Sequence, residues 1–536
     1  MTSQAISLPD ESRATLLAGS LIPGLLGYFL LPRPEAGQLA VPLLSFFVVL
    51  PMLVSFLMIV APGKSYRWLG LAVSALTVGM SIRLFGFYGQ APAGFQFTEQ
   101  VPWLSNLGIN YIVAVDGISV LMVILTSVIY FTGTVTSWNM EPRGKEFFVL
   151  FNLLVGGVFG VFVSLDLFFF FMFYELAVLP MYLLIGIWGS GPKEYAAMKL
   201  TLYLLAGSAF MLVAFIAMYF GSAVHTFDLR VLMDPVRTAF SFGFQKFWFP
   251  FLFVGFGVIG ALWPLHTWSP DGHSSAPTSV SMLHAGVLMK LGGFGIIRVA
   301  LPCMPDGARY WLPLFALLTI VNILYGSIAA LKQTDLKFVT AYSSVSHCGY
   351  VLFGICTMDK IGINGAVMQM FSHGIMTALF FCMIGFIYGR THTRDIPKLG
   401  GLLAVFPLVG SLYIATGMAS VGLPGMSGFV AEFMILVGAY QSGYQHNFGY
   451  FKILFPMAIL AVGVTAIYVL RVLQNVFYGP VKDPHYKGLP QARFIEYFPM
   501  ALLMGVILMV GLYPKPFVDL VNTAVGPLID HVGGFK

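Results

Sequence analysis

Fourteen times between residues 39 and 513 the chain runs apolar for long enough to cross a bilayer, which takes about 20 residues as a helix. The runs lie at about 39–61, 66–88, 115–137, 147–165, 167–189, 196–220, 248–270, 277–300, 309–331, 337–357, 361–389, 401–440, 451–478 and 495–513. A further run from about Thr15 to Leu31, interrupted by Pro23 and Gly24, reads as an additional crossing at the front. The longest polar connections, about 89–114, 221–247 and 479–494, are too short for domains, and no segment reads as alternating strands. Only 9% of residues are charged, against about 25% in a soluble domain. The expected fold is an all-α polytopic membrane bundle of about fourteen core helices. Its parts are an N-terminal extension over 1–38, the bundle over 39–514 and an interfacial tail over 515–536, whose apolar residues recur at helical spacing.

Charge sets orientation and excludes partners. A net +6 spread over 536 residues forms no basic patch, so the lipid bilayer and not nucleic acid is the expected partner. With fifteen spans, the loops after the even-numbered ones hold Lys64, Arg67, Arg143, Lys145, Lys193, Lys332, Lys337, Arg390, Arg394, Lys398, Lys482, Lys487 and Arg493. The positive-inside rule places that face, and the N-terminus, in the cytoplasm. The polar, acidic start followed by no small-residue cleavage site argues against a removed signal peptide.

Ionisable residues within the spans cost a few kcal/mol each by insertion scales, so they mark candidate ion paths. Glu175 stands in LFFFFMFYELAVLPMYLLIG, nine residues after Asp166. It reads as a proton relay, or as a protonated structural donor to a neighbouring helix. Lys199, about one turn into the next span, is either a relay member or a snorkelling surface lysine. The stretch from Trp248 to Leu301 carries Pro264, His266, Pro270, Asp271, His273, Pro277, His284 and Lys290 among apolar residues. Proline opens the helix, and unwound backbone at membrane depth is tolerated only beside protein or a hydrated cavity, which predicts a broken helix. His284 and Lys290, six apart on one helix, suit successive steps of one path more than a shared face.

His347 and His373 lie in consecutive spans, where haem ligation competes with proton transfer. Membrane cytochromes usually pair histidines on each of two helices, and only one such pair is visible. Later, Gly422, Pro424, Gly425 and Gly428 break a second span, and Glu432 follows within it. Two interrupted helices with buried charges, one in each half, are the sign of inverted repeats around an ion site. Cys303, Cys348, Cys356 and Cys382 form no CxxC pair, and neither a dinucleotide nor a P-loop fingerprint occurs. No cofactor is expected in this chain, so energy for moving ions must come from a gradient or a partner.

Seven stretches together resemble one family. They are FTEQVPWLSNLGINYIVAVDGIS at 97–119, DLFFFFMFYELAVLPMYLLIG at 166–186, PLHTWSPDGHSSAPTSVSMLHAGVLMK at 264–290, QTDLKFVTAYSSVSHCGYVLFG at 333–354, SHGIMTALFF at 372–381, HTRDIPKLGGL at 392–402 and LPGMSGFVAEFMILVGAY at 423–440. In this order, over roughly 41–515, they are similar to the M-chain family of antiporter-like subunits of proton-translocating NADH:quinone oxidoreductase, the respiratory complex I family. The resemblance implies fourteen conserved helices with two inverted five-helix repeats, in an energy-converting membrane such as a bacterial inner membrane. It implies a hydrophobic arm with two further antiporter-like subunits as neighbours. Carried over by motif, Glu175 resembles the essential carboxylate, Lys290 the central lysine, His347 and His373 the connecting histidines, and Glu432 the acidic residue near the exit.

The family has a lysine five residues before the proline of its PLHxW motif, paired with the glutamate that Glu175 matches. Here that place is Ile259. Either Lys199, Lys290 or protonated His266 supplies the missing charge, or the subunit pumps differently, or it is a non-pumping spacer of the same complex. A subunit of a cation/proton antiporter or membrane-bound hydrogenase is the remaining reading.

Overall fold

In lipid each apolar run must satisfy its own backbone, so each closes into a helix. The computed structural model describes residues 11–29, 41–88 and 94–533. Its long helices are α1 (Glu11–Phe29), α2 (Leu43–Val60), α3 (Ser65–Tyr88), α4 (Gly117–Thr136), α5 (Gly144–Val163), α6 (Leu167–Trp188), α7 (Lys193–Gly221), α8 (Phe242–Ile259) and α9 (Trp268–Ser275). Then follow α10 (Thr278–Cys303), α11 (Pro305–Lys332), α12 (Leu336–Cys356), α13 (Lys360–Thr391), α14 (Pro407–Val421), α15 (Ser427–Tyr444), α16 (Phe451–Val476), α17 (Phe494–Leu512) and α18 (Lys515–Val532). Among the described residues twelve are long and apolar enough to cross a membrane. α12 crosses too, its hydropathy lowered by serines, Lys337 and His347, and α14 with α15 crosses as two half-helices, which brings the core to the expected fourteen.

α10 is buried throughout and α4 and α13 almost so, whereas α2, α7, α16 and α17 leave half or more of their surface outward. The interior helices are therefore free to carry polar side chains away from lipid. α1 lies against α3 through small residues: a Cβ on Gly79 would come within 1.9 Å of the Gly24 carbonyl oxygen. Its outer side presents Leu21, Ile22, Leu25 and Leu26. The last residues of the expected first span, 30–31, lie outside the described residues.

Two isolated strand bridges reveal the repeat. Asp166 pairs with Asp228 through Leu167 N–H to Phe227 O and Leu229 N–H to Leu165 O. Asp335 pairs with Asp395 through Leu336 N–H to Arg394 O and Ile396 N–H to Thr334 O, the same two bonds. Each first aspartate also caps the helix it precedes, Asp166 on α6 and Asp335 on α12. Five crossings separate the two bridges, an odd number, so they stand on opposite membrane faces and the repeats are inverted. Burial pushes the Asp166 carboxyl up to about 6, with Asp228 adding to the effect against the amides of Asn110, Phe169 and Phe168. A raised carboxyl favours the fold fully below its unfolded value of about 3.9, and that contribution is lost as pH rises through about 6. An infrared carboxylic-acid band with a midpoint near pH 6, absent in Asp166→Asn, is the expected result.

Two expectations need correction. The connection over 89–114 is not without strands: Gln96–Leu104 (β1) and Ile109–Val115 (β2) form an antiparallel hairpin. Both faces of the end of β2 are buried, so INYIVAV shows no alternation to read. The hairpin is tied down by Glu99, whose carboxylate accepts from Leu44 N–H at 2.8 Å and Ser45 N–H at 3.0 Å and so caps α2. Lys337 is not a loop charge but lies 4% exposed in the first turn of α12. The tail helix α18 has the apolar face its spacing predicts, and that face, with Phe517, Val521, Val525 and Ile529, packs on α4 and α13 at the hairpin face.

Candidate functional site

The two predicted breaks are real, the first stitched by side chains and the second turned by glycines. α8 ends at Ile259, and the chain runs through Ala261, at a left-handed φ of 54°, and Pro264 before α9 resumes at Trp268. The Trp268 indole donates to the Val258 carbonyl at 3.0 Å, a second bond to an acceptor that the Ala261 N–H also reaches at 3.1 Å. At the other end of α9, Lys337 Nζ donates to Ala276 O at 2.6 Å and Arg394 to Ser274 O at 2.8 Å. In the second break, Gly422 and Gly425 take φ of 81° and 93°, where a side chain would be strained.

α10 carries two π-helical segments, His284–Leu288 and Ile296–Ala300, and packs at Gly292 against Gly260 of the first break. The widened turn lets Lys290 reach back five residues to the Ala285 carbonyl. Lys290 Nζ also lies 2.8 Å from His373 Nδ1 on α13. The His373 ring stacks on His347 of α12 with centroids 5.2 Å apart, and His347 Nδ1 stands 3.0 Å from Glu432 Oε1 on α15. Four of the predicted residues are thus one continuous row, each at most 6% exposed. Beside Lys290 is a cavity of about 10 Å³, close to the smallest that admits one water.

Two protonation states fit around His347. With a proton on Nδ1 it donates to Glu432. With the proton on Nε2, 3.3 Å from Ser420 Oγ, its Nδ1 accepts from Gln369 Nε2 at 3.1 Å, which also lies 3.4 Å from Glu432. A site whose neighbours satisfy either tautomer can take a proton on one side and release one on the other. The stacked rings of His347 and His373 leave no room for a macrocycle between them, which counts against haem. Among the described residues no three His, Cys, Asp or Glu side chains gather to hold a metal.

The other predicted residues are distributed differently. Glu175 on α6 is half-buried, one carboxyl oxygen without a partner, and Ser208 of α7 reaches the group. None of the proposed substitute cations ion-pairs with it. Lys199 is bound to Asp271 at 2.7 Å, Lys290 lies in the row, and His266 stands edge-on to Tyr325 at 4.9 Å. Ile259 is fully buried, and its neighbour Val258 packs on Gly207, next to Ser208. His284 lies 4.1 Å from His273, ring to ring, both its nitrogens unpartnered.

His273 and Lys337 went unselected in the sequence. His273 stands two residues beyond the Lys199–Asp271 pair and touches Met289 Sδ at 3.3 Å, one residue before Lys290. It lay in the quoted PDGHSSAP segment, where only its place after a break pointed to it. Lys337 was concealed by its place at a span end.

Residues 164–455 match the family model described as NADH:quinone oxidoreductase/Mrp antiporter, TM. The chain is 36% identical over 502 residues to NAD(P)H-quinone oxidoreductase chain 4 2 of Thermosynechococcus vestitus, covering 92% of this chain and 93% of that one. It is 39% identical over 488 residues to NAD(P)H-quinone oxidoreductase chain 4 1 of Synechococcus sp. strain JA-3-3Ab, covering 90% and 91%. Its fold is similar to a chain of respiratory complex I from Thermus thermophilus with bound NADH, at a TM-score of 0.83, 26% identity and coverage of 92% and 100%. A chain of the Mrp complex from Dietzia sp. shares the fold at 0.79 and 21% identity, covering 92% and 99%. This chain belongs to the NADH:quinone oxidoreductase/Mrp antiporter membrane-subunit family, and within it to the chain 4, or M-chain, subunits of the complex I type.

Proposed function

We propose that this chain is a proton-translocating membrane-arm subunit of a complex I-type NAD(P)H:quinone oxidoreductase, with other membrane-arm subunits, two of them antiporter-like, as its partners. Electron transfer to quinone takes place elsewhere in that assembly and drives protonation changes here. The observation that carries the reading is the buried row Lys290, His373, His347, Glu432, which joins α10, α13, α12 and α15 across both inverted halves. Lys290 as a cation donates to neutral His373. A proton passed to His373 leaves a neutral amine, and the imidazole pair carries the charge toward Glu432. His284 and His273 extend the row toward the Lys199–Asp271 pair and the Glu175 half.

The Glu175 half lacks its lysine. With Ile259 in the lysine's place, and Lys199 held by Asp271, the carboxyl pairs with none of the candidate cations, so it works as a proton-binding site whose charge the row itself must answer. Proton uptake into sealed vesicles holding the intact complex, normalised to quinone reduction, tests this. Glu175→Gln is expected to lower the ratio, and Ile259→Lys to change it by capturing Glu175 in an ion pair. An assembled Glu175→Gln complex that pumps like its parent would favour the spacer reading.

A further inference from the structure

A narrow cleft with a few hydroxyl groups approaches the row from the face opposite the hairpin, the face that collects the basic loop residues. It is a cavity of about 20 Å³ between α12, α13, α14 and α16, where Thr340, Ser343, Ser420 and Tyr468 stand among largely apolar neighbours such as Phe380 and Val472. That is room for about one water. α16 ends on the basic face at Val476 and α14 begins there at Pro407. At 1.5 Å per residue the cleft therefore runs from about 6 Å beneath that face at Val472 to about 20 Å at Ser420. Thr340 and Ser343 each keep 5% exposure, while Ser344, one residue on, keeps none.

The hydroxyl groups along it are connected. Ser343 Oγ and Tyr468 OH are 2.7 Å apart, the Tyr468 hydroxyl also reaches Ser420, and Ser420 Oγ lies 3.3 Å from His347 Nε2. We propose that Ser343, Tyr468 and Ser420 form a hydroxyl relay that delivers protons from the basic face to His347, an inference that rests on the row being a proton path. Water in the cleft protonates Ser343 Oγ as the Ser343 hydrogen passes to Tyr468. The Tyr468 hydrogen passes to Ser420, and the Ser420 hydrogen to His347 Nε2. Each oxygen gains one proton and gives one, so no hydroxyl keeps a charge. His347, then protonated on both nitrogens, releases the Nδ1 proton to Glu432. Net, one proton moves from water to the carboxylate.

The test uses the intact complex in sealed vesicles with the basic face outward, reading proton uptake per quinone reduced. Tyr468→Phe keeps the ring and removes the hydroxyl, and it is expected to lower the ratio to the value measured with Glu432→Gln. Ser420→Ala carries the same expectation should Tyr468→Phe not assemble. Thr340→Cys is expected to react with a charged, membrane-impermeant thiol reagent from the basic face alone. A fall with Glu432→Gln but parental pumping in Tyr468→Phe or Ser420→Ala overturns the relay and leaves the row. Parental pumping in all of them overturns both. Labelling only from the hairpin face overturns the direction of uptake.

Discussion

Lys290→Met is expected to slow proton transfer through this subunit at least about 100-fold, the low end of what a positioned proton-transfer group contributes. Methionine fills nearly the same volume, so the packing around a residue 1% exposed is kept while the titrating group is lost. His373 loses its donor at 2.8 Å and the row is cut at its first link. Lys290→Arg should fail as well, because a guanidinium does not release its proton in a protein. Proton uptake during a single burst of quinone reduction, with assembly checked by content of the complex, distinguishes these outcomes. Transfer at the parental rate in Lys290→Met would remove the lysine from the path.

Arg298→Met should produce the largest loss of stability, about 3–5 kcal/mol, because it strands a buried carboxylate. Arg298 donates to both oxygens of Asp116 at 2.7 and 2.6 Å and to Ser119 at 3.0 Å, with side chains 7% and 8% exposed. Asp116 also caps α4 by accepting from Ile118 and Ser119 N–H, so one pair fixes the end of α10, through its second π segment, to the start of α4. Burial alone would raise the Asp116 carboxyl. The Arg298 guanidinium and the two amides outweigh it and hold it below the ordinary range. A depressed carboxyl contributes stability that is present above its unfolded pKa of about 3.9 and lost as pH falls through the folded value. Arg298→Met with Asp116→Leu, which removes both charges, should recover much of the loss. Thermal unfolding in detergent measures the set, and equal melting of Arg298→Met and parent would contradict the assignment.

The features legible in the sequence were those that membrane insertion imposes on each segment separately. Apolar length located the crossings, and Pro264 and the Gly422 to Gly428 cluster located the breaks, because backbone needs act residue by residue. Buried charge marked Glu175, Lys290 and Glu432, His347 and His373 stood out in consecutive spans, and the resemblance gave those two histidines a connecting role. What stayed hidden depends on pairing between distant segments. The hairpin forms because β2 is covered by its neighbours, not because its residues alternate. His284 and Lys290 looked out of phase on a regular helix. The π segment at 284–288 changes the turn between them, and no residue type announces it. Lys337 looked like a loop cation until the carbonyl of Ala276 gave it a buried partner. Loss of the family lysine at Ile259 was visible, but only the structure shows that none of Lys199, Lys290 and His266 pairs with Glu175: Lys199 is engaged by Asp271.

The central claim is that the row ending in Glu432 carries protons. The most direct measurement is the ratio of protons taken up to quinone reduced in sealed vesicles of the intact complex, comparing Glu432→Gln with its parent. Glutamine keeps the shape of the side chain and cannot accept the proton from His347 Nδ1, so a lower ratio in a fully assembled complex is the expected result. An unchanged ratio with normal assembly would contradict it, and would leave the four residues as packing between two inverted halves.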